Sequence, residues 1–370
     1  MDVSLLSSGH DVSDARLHRI AAACIRAGLE VEVLGLGDPG GAPRGMSRVT
    51  SRPRPGMVGR ALLAGRYAAR AEGQVIVALD PDSLIASLLL GRPRGRKVVA
   101  DVHEDYAALL ADRAWATGVT GAVARGVVGV ANSAAARADL TFVADEHVPP
   151  RTARRRVVVR NTPDRSMLPM QTEMTPSDEP RAVYVGDVRR SRGLFAMVGA
   201  LAEASTWHLD LVGPVAAADR EELDLVLREP GLRDRVTLHG QLPPDQSWAV
   251  ARRAWVGLSL LADTPAFRDA MPSKVIEYLA CGLPVLTTDL PRPAAAVRDA
   301  GAGAVVPAGA DDEVALTAAR VLRGWSEDPG SLAAARAAAS ATNGRAHAEP
   351  SPYDEAASAI SDLARDRRTP

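Results

Sequence analysis

Between Asp269 and Glu277 the chain reads D-A-M-P-S-K-V-I-E, which sets two carboxylates eight residues apart with Pro272, Ser273 and Lys274 between them. A short helical pattern ends at Gly282, and an apolar strand over 284–288 follows at once. A lysine in the opening turn of a helix is disfavoured by the helix dipole, and a bound anion relieves that conflict. The segment therefore suits a polar, anionic ligand. A second candidate lies upstream in Y-V-G-D-V-R-R-S-R-G, residues 184–193. Here Gly186 lets backbone approach a ligand closely, and the guanidinium of Arg192 offers paired donors that match phosphate oxygens. Its plainer reading is a strand–turn–helix whose Arg189, Arg190 and Arg192 form a solvated basic face. The downstream lysine and glutamate favour phosphate binding.

Two further groups lie in the first half. S-S-G-H-D-V-S-D-A-R-L-H-R, residues 7–19, brings Gly9, His10, Asp11 and Arg16 to the loop and helix after the first strand, where they are candidates for acceptor or donor-phosphate contacts. Ser13 and Asp14 in the same stretch suit helix capping. A-D-V-H-E-D-Y, residues 100–106, places His103 just past a strand, at the carboxyl end of a sheet. A satisfied loop histidine is the rival reading there. Asp101, His103, Glu104 and Asp105 also invite a metal reading, but neighbouring side chains point in different directions and no metal site is expected. His239, ending V-T-L-H-G, reads as a structural loop histidine.

The elements that must position these groups alternate along the chain. Short apolar, β-branched runs at 3–7, 31–36, 75–79, 98–100, 140–143 and 157–159 are separated mostly by helical periodicity, as over 14–28. This is the signature of a parallel sheet covered on both faces. Residues 39–59, rich in Arg, Pro and Gly, read as a mobile loop entering a helix near Val58. After Asn161 the rhythm breaks, and 167–180 reads as a linker. It then restarts with strands at 182–185, 208–212, 236–238, 256–260 and 285–288, with helices at 194–203, from Asp219, around Trp248 and up to Cys281. Residues 331–346 and 353–364 read as terminal helices. The expected division is a first domain over 1–165, a linker over 166–180, a second domain over 181–345 and a C-terminal helix within 346–370.

With 370 residues the chain is too long for one ordinary core and suits two. A net charge of −1 gives no global pull toward nucleic acid, and no nucleic-acid partner is expected. Cys24 and Cys281, the two cysteines, sit in apolar helical patterns and read as buried thiols. No apolar run reaches the roughly 18 residues of a spanning helix, and Met1 leads directly into a strand-like segment. The expected compartment is cytoplasmic, with membrane association left open.

The two second-half motifs, with V-T-L-H-G-Q-L at 236–242, resemble the donor site of GT-B glycosyltransferases of the retaining family 4, and the likeness runs over about residues 1–325. The resemblance implies an α/β fold of two Rossmann-like doubly wound domains facing across a cleft, with the last helix returning to the first domain. It implies transfer of a sugar, a hexose by preference, from a nucleotide-diphosphate donor to an acceptor hydroxyl with retained configuration, using no metal or other cofactor. By the same resemblance Arg192 and Lys274 meet the diphosphate beside Gly186 and Ser273, and Glu277 accepts from the ribose hydroxyls. Asp269 contacts the transferred sugar, and His103 touches the reacting sugar. The chain departs from the pattern at Asp269, where glutamate is usual, at Ala270–Met271–Pro272, which replaces a Gly/Phe-rich turn, and at Gly9, which stands for a glycine pair.

The nucleobase and the acceptor stay open. Residues 115–130 are apolar and 44–70 basic; they either cover the chain's own sheet or meet a membrane-borne lipid carrier. A glycan or a small-molecule acceptor remains an alternative, as do two other classes: a sugar-nucleotide epimerase or hydrolase on the same fold, and a non-catalytic scaffold that kept it.

Overall fold

The computed structural model describes residues 1–103, 105–111, 118–164, 174–346 and 351–365. The chain forms two compact units, one of residues 1–164 with 350–370 and one of residues 165–349.

The first unit holds a seven-stranded parallel sheet built from β1 (Val3–Asp11), β2 (Val31–Leu36), β3 (Arg48–Arg52), β4 (Val75–Ala78), β5 (Lys97–Val102), β6 (Leu140–Val143) and β7 (Arg156–Val158), in the order β3-β2-β1-β4-β5-β6-β7. Side-chain alternation along each strand divides the core in two. Val3, Leu5, Val75, Val77 and Val99 face one layer, packed by α1 (Ala15–Arg26) and by a helix from the far end of the chain. Leu6, Ile76, Ala78, Val98 and Ala100 face the other layer. That layer is packed by α2 (Met57–Arg70), α3 (Pro81–Ala86) and α5 (Gly118–Ala136), with α4 (Tyr106–Ala111) beside α5.

Two sequence expectations change here. Ser8 to Asp11, read as a loop, continue β1, with a register shift between Leu6 and Asp11 against β2. The stretch read as one mobile loop contains β3, a parallel edge strand whose Arg48 bonds the buried carboxylate of Glu32. An ion pair reaching in from the edge gives this arginine-rich segment a strand partner that its composition does not announce.

The second unit holds six parallel strands: β8 (Arg181–Val185), β9 (His208–Val212), β10 (Val236–Gly240), β11 (Val256–Ser259), β12 (Val285–Thr288) and β13 (Gly303–Val306), ordered β10-β9-β8-β11-β12-β13. The last strand was not singled out in the sequence. One face of this sheet is packed by α6 (Leu194–Glu203) and later by α11 (Asp311–Glu327) around Trp207, Tyr184 and Leu258. Between these come α7 (Ala217–Val226), α8 (Pro244–Ala251), α9 (Ser273–Ala280) and α10 (Pro291–Ala300). On the other face α8, α9 and α12 (Pro329–Ala346) pack around Val183, Trp248, Tyr278 and Val285. Finally α13 (Pro352–Arg365) lies on α1 and buries Tyr353, Ile360 and Leu363 in the first unit. Glu104, Trp115 and residues 166–173 of the expected linker lie outside the described residues.

Each sheet is a doubly wound, Rossmann-like parallel sheet, as the resemblance implied. In such sheets ligands gather at the carboxyl ends of the strands, where order reverses between β1 and β4 and between β8 and β11.

Candidate functional site

In the second unit the site is assembled around the end of β8. Tyr278 of α9 sends its hydroxyl to the strand, accepting from the Val185 N–H at 2.9 Å. This replaces ladder bonding beyond Val183, where pairing of β8 with β11 ends. A Cβ on Gly257 would overlap the Tyr278 ring, so the glycine in β11 is what lets α9 sit this close. Lys274 lies four residues before Tyr278, hence on the same side of the helix. Docking of the tyrosine therefore carries the lysine to the turn that follows β8.

There the Lys274 Nζ donates to the Tyr184 hydroxyl at 3.1 Å and lies 4.4 Å from the centre of its ring. The same hydroxyl donates to the Asp187 carbonyl at 2.9 Å, fixing the turn around Gly186. Gly186 has φ +138°, and a Cβ there would stand 3.5 Å from the lysine Cε. Burial pushes the Lys274 ammonium below its ordinary pKa, and the charge of Arg192 pushes it the same way against the pull of Tyr184 and Glu277. Burial alone would raise the Tyr184 phenol, but the charges of Lys274 and Arg192 outweigh it and lower that group. Two cations thus converge on one phenol in a desolvated corner, an arrangement that a diphosphate would neutralise.

Arg192 ends a short 3-10 turn, Arg190–Arg192, and Gly193 follows at φ +84° to open α6. A Cβ on Gly193 would overlap the Leu260 carbonyl, so only glycine allows this turn to close on β11. The Arg192 guanidinium lies 5.8 Å from the Phe267 ring, and its buried Nε has no hydrogen-bond partner among the described residues. Arg189 and Arg190 behave differently. Arg189 pairs with Asp187, and Arg190 bonds Glu222 and Asp311 at 2.5 and 2.7 Å, so these two are tied to the protein's own carboxylates.

Glu277 is 8% exposed and receives the Ser273 hydroxyl at 3.5 Å, while Lys274 is 6% exposed. The amino end of α9 is left without a side-chain cap, Pro272 occupying the capping position. Asp269 sits apart from this buried set: it is exposed, at the end of the turn before α9, and its backbone carbonyl accepts from Arg292 at 3.1 Å. His239 bonds Asp210 at 2.8 Å, and Asp210 is also paired with Arg181 at 3.0 Å, which makes the histidine a tie between β10 and β9.

In the first unit the carboxyl end of the sheet gathers His10, His103, Asp14 and Asp101. The rings of His10 and His103 meet edge to face with centroids 5.2 Å apart. His10 Nδ1 lies 3.5 Å from Asp14, and His103 Nδ1 lies 3.8 Å from Asp101. Asp14 caps α1 by accepting from the Arg16 and Leu17 N–H groups. Burial works to raise its carboxyl, yet the bond to His10 and the charges of both histidines hold it well below the usual range.

Two of the expected contacts are committed elsewhere. Arg16 is 5% exposed and forks onto Asp101 at 2.7 and 2.6 Å, with the Val159 carbonyl at 3.1 Å. Its guanidinium is spent inside the unit because the sheet end would otherwise bury an unpaired carboxylate. Asp11 accepts from the backbone and hydroxyl of Ser13 at 3.0 and 2.8 Å and faces Gly37, so it shapes the turn into α1. A Cβ on Gly9 would stand 2.6 Å from the Arg60 guanidinium, the movable end of a long side chain that lies against this glycine.

Three contributors were not singled out in the sequence. Tyr184 looked like an ordinary strand aromatic. Arg60 stood in a run of arginines. Asp80 is 4% exposed and accepts from Ser7, Ser8, Gly9 and Ser83, holding the loop that carries Gly9 and His10. The signal for Asp80 was present in D-P-D-S after a strand, an N-cap followed by proline. Among the described residues no group of three His, Cys, Asp or Glu side chains converges to hold a metal ion. Nor is any described helix long and apolar enough to cross a membrane.

Residues 170–339 match the family model of glycosyl transferases group 1. No curated protein matches the chain. Among solved structures, the sucrose-phosphate synthase of Thermosynechococcus elongatus superposes with a TM-score of 0.70 at 18% identity, covering 98% of each chain. WaaG, a glycosyltransferase involved in lipopolysaccharide biosynthesis, gives 0.67 at 15% identity over 97% of this chain and 99% of its own. HepE of Anabaena in complex with UDP-glucose gives 0.65 at 17% identity over 99% and 98%.

Proposed function

We propose that this chain, whose residues 170–339 match the glycosyl transferases group 1 model, moves a sugar from a nucleotide-diphosphate donor to an acceptor hydroxyl with retention of configuration. The observation that carries the reading is the convergence of buried Lys274 and half-buried Arg192 on the Tyr184 hydroxyl beside Gly186. A diphosphate is the ligand class that answers two cations, a tight glycine turn and an uncapped helix end together. Placed there, the cations stabilise the negative charge that grows on the departing diphosphate, which is electrostatic catalysis by groups already oriented.

Glu277, three residues after Lys274 and about 100° around the helix from Tyr278, is assigned to the ribose hydroxyls, with Ser273 beside it. Asp269 is assigned to the transferred sugar, and its exposure before donor binding suits a group that meets a ligand. In the first unit we assign His103 to the reacting sugar and Gly9 and His10 to phosphate or acceptor contacts. Arg16 and Asp11 then serve as positioning residues. The departing phosphate accepts the acceptor proton, so the scheme needs no side-chain base and draws on no metal. A hexose donor is favoured, and the HepE complex makes uridine the first base to try. The acceptor is a glycan, a lipid-linked sugar or a small molecule.

The test is thermal stabilisation of the protein by uridine, guanosine, adenosine and thymidine diphosphates and their sugars. A nucleotide that raises the melting temperature, with the rise abolished in Arg192→Ala and Glu277→Ala, supports the donor site and names its base. No rise with any of them, in protein shown to be folded, removes the transferase reading and favours a scaffold.

A further inference from the structure

The large apolar side chains left in solvent are unevenly distributed. Among the described residues, Val58, Leu62, Leu89, Val127 and Val130 of the first unit are 58–78% exposed, whereas the second unit contributes only Leu225 and Leu316. The five belong to one layer. Val58 and Leu62 lie one turn apart on α2, Leu89 lies on the π-helical turn Ser87–Gly91 that continues α3, and Val127 and Val130 lie on α5. α2 packs on α3 and that turn, and α3 packs on α5, all on the same face of the sheet.

The charge of this layer is one-sided. α2 contains Arg60, Arg66 and Arg70 and no acidic residue, α5 contains Arg125 and no acidic residue, and α3 contains Asp82. Arg48 and Arg60 are paired with Glu32 and Asp82. Arg66 and Arg70 of α2 are exposed and make no ion pair with a described carboxylate. On α2 the order Val58, Leu62, Arg66, Arg70 runs at four-residue spacing, apolar at one end and cationic at the other.

We propose that this α2–α3–α5 face docks the first unit on an anionic lipid bilayer surface. Exposed aliphatic side chains enter the headgroup boundary while flanking arginines meet lipid phosphates, the pairing by which monotopic surfaces bind. A second copy of the chain is the poorer occupant, because two such faces would bring the arginines of one against those of the other, Asp82 of α3 being already engaged by Arg60. A nucleic acid is poorer too, since the exposed apolar groups of this face are aliphatic and offer no aromatic stacking platform. The chain's net charge of −1 shows that the cationic character is local. The inference rests on the first unit's surface and stands or falls independently of the donor site.

The experiment is co-sedimentation of the full chain with vesicles of phosphatidylcholine alone and of phosphatidylcholine with one third phosphatidylglycerol. Binding to the anionic vesicles, weakened by added salt, is expected. Neutralising Arg66 and Arg70 to Gln together lowers the partition coefficient roughly 30-fold, at about 1 kcal/mol per charge near the surface. Leu62→Ser and, on a separate element, Leu89→Ser each lower it as well. Melting temperature and nucleotide-induced stabilisation stay unchanged in all of these variants. Absence of binding by folded protein, or binding that survives all of these substitutions, overturns the proposal. So does a dimer in solution that Leu62→Glu converts to monomer, which would give the face to a second copy.

Discussion

Lys274 and Tyr184 are joined by a 3.1 Å hydrogen bond across 90 residues of sequence, and the tyrosine spends its own proton on the Asp187 carbonyl. The phenol therefore holds the lysine and the Gly186 turn in one geometry. Tyr184→Phe keeps the ring packing and removes both bonds. The expected result is donor affinity reduced about tenfold, from loss of about 1–2 kcal/mol, with a stable fold. Titration of the variant with nucleoside diphosphate checks it; unchanged affinity and turnover would show the phenol to be only a packing group.

The lysine also makes binding depend on pH. Its pKa lies below the ordinary value because it is buried beside Arg192, and a bound diphosphate raises it. Protons are then taken up on binding, and affinity falls as pH rises through the lysine's value in the free protein. Ionisation of Tyr184 would add negative charge and act in the same direction. Calorimetry in two buffers of different ionisation enthalpy should show net proton uptake at alkaline pH, reduced in Lys274→Met. A flat profile with no buffer dependence would remove the lysine from the ligand.

The glycine turn has a second support. Gly213, at the end of β9 with φ +139°, donates no side chain because a Cβ would overlap the Gly186 carbonyl. Gly213→Ala is expected to cost about 1–3 kcal/mol of stability and to lower nucleotide binding by displacing the Gly186 turn. Chemical denaturation and nucleotide titration on one preparation would read both effects. Full binding by a destabilised variant would separate the turn from the site.

Arg16 and Asp101 form a buried, two-bond ion pair with 5% and 0% of their side chains exposed. Removing one partner leaves an unpaired charge, so Arg16→Ala should destabilise the first unit by about 3–5 kcal/mol. Because Arg16 also reaches Tyr353 at 3.4 Å, α13 should become more open to proteolysis in the variant. A fully stable Arg16→Ala protein with impaired turnover would return this arginine to the ligand-contacting set.

Asp80 couples the first unit to acid. Burial would raise its carboxyl, but bonds from Ser83 and Ser7, with the charge of His10, lower it below the unfolded value. Such a group stabilises the fold above the unfolded pKa of about 4, and the contribution disappears as pH falls through the lower folded value. Asp80→Asn should therefore be less stable than the parent at neutral pH by about 1.5–3 kcal/mol, with the gap closing in acid. Urea midpoints at several pH values would show it; a gap independent of pH would mean the carboxylate charge is immaterial.

Much of the architecture was legible along the chain, because a strand or helix records its partners as a local period. The runs at 31–36, 140–143 and 285–288 emerged as β2, β6 and β12, and the helical stretch at 194–203 as α6. Edge elements were harder to read. β3 is an arginine-rich segment whose stabilising partner, Glu32, lies sixteen residues away from Arg48. β13 is four residues long and Gly303 opens it.

The sequence by itself determined which residue types were available for phosphate: Gly186, Arg192, Lys274 and Glu277 stand in two short motifs whose local spacing sets each on its own turn or helix. Only the tertiary structure decided which cations are committed to carboxylates and which are not. Arg190 is tied to Glu222 and Asp311, and Arg16 to Asp101, while Lys274 and Arg192 meet over Tyr184. Spacing within a motif constrains neighbours a turn apart, whereas a bond between β8 and α9 exists only once Gly257 admits the Tyr278 ring and brings helix to strand. Desolvation, which gives these charges their strength, is likewise a property of the packed sheet and not of any segment.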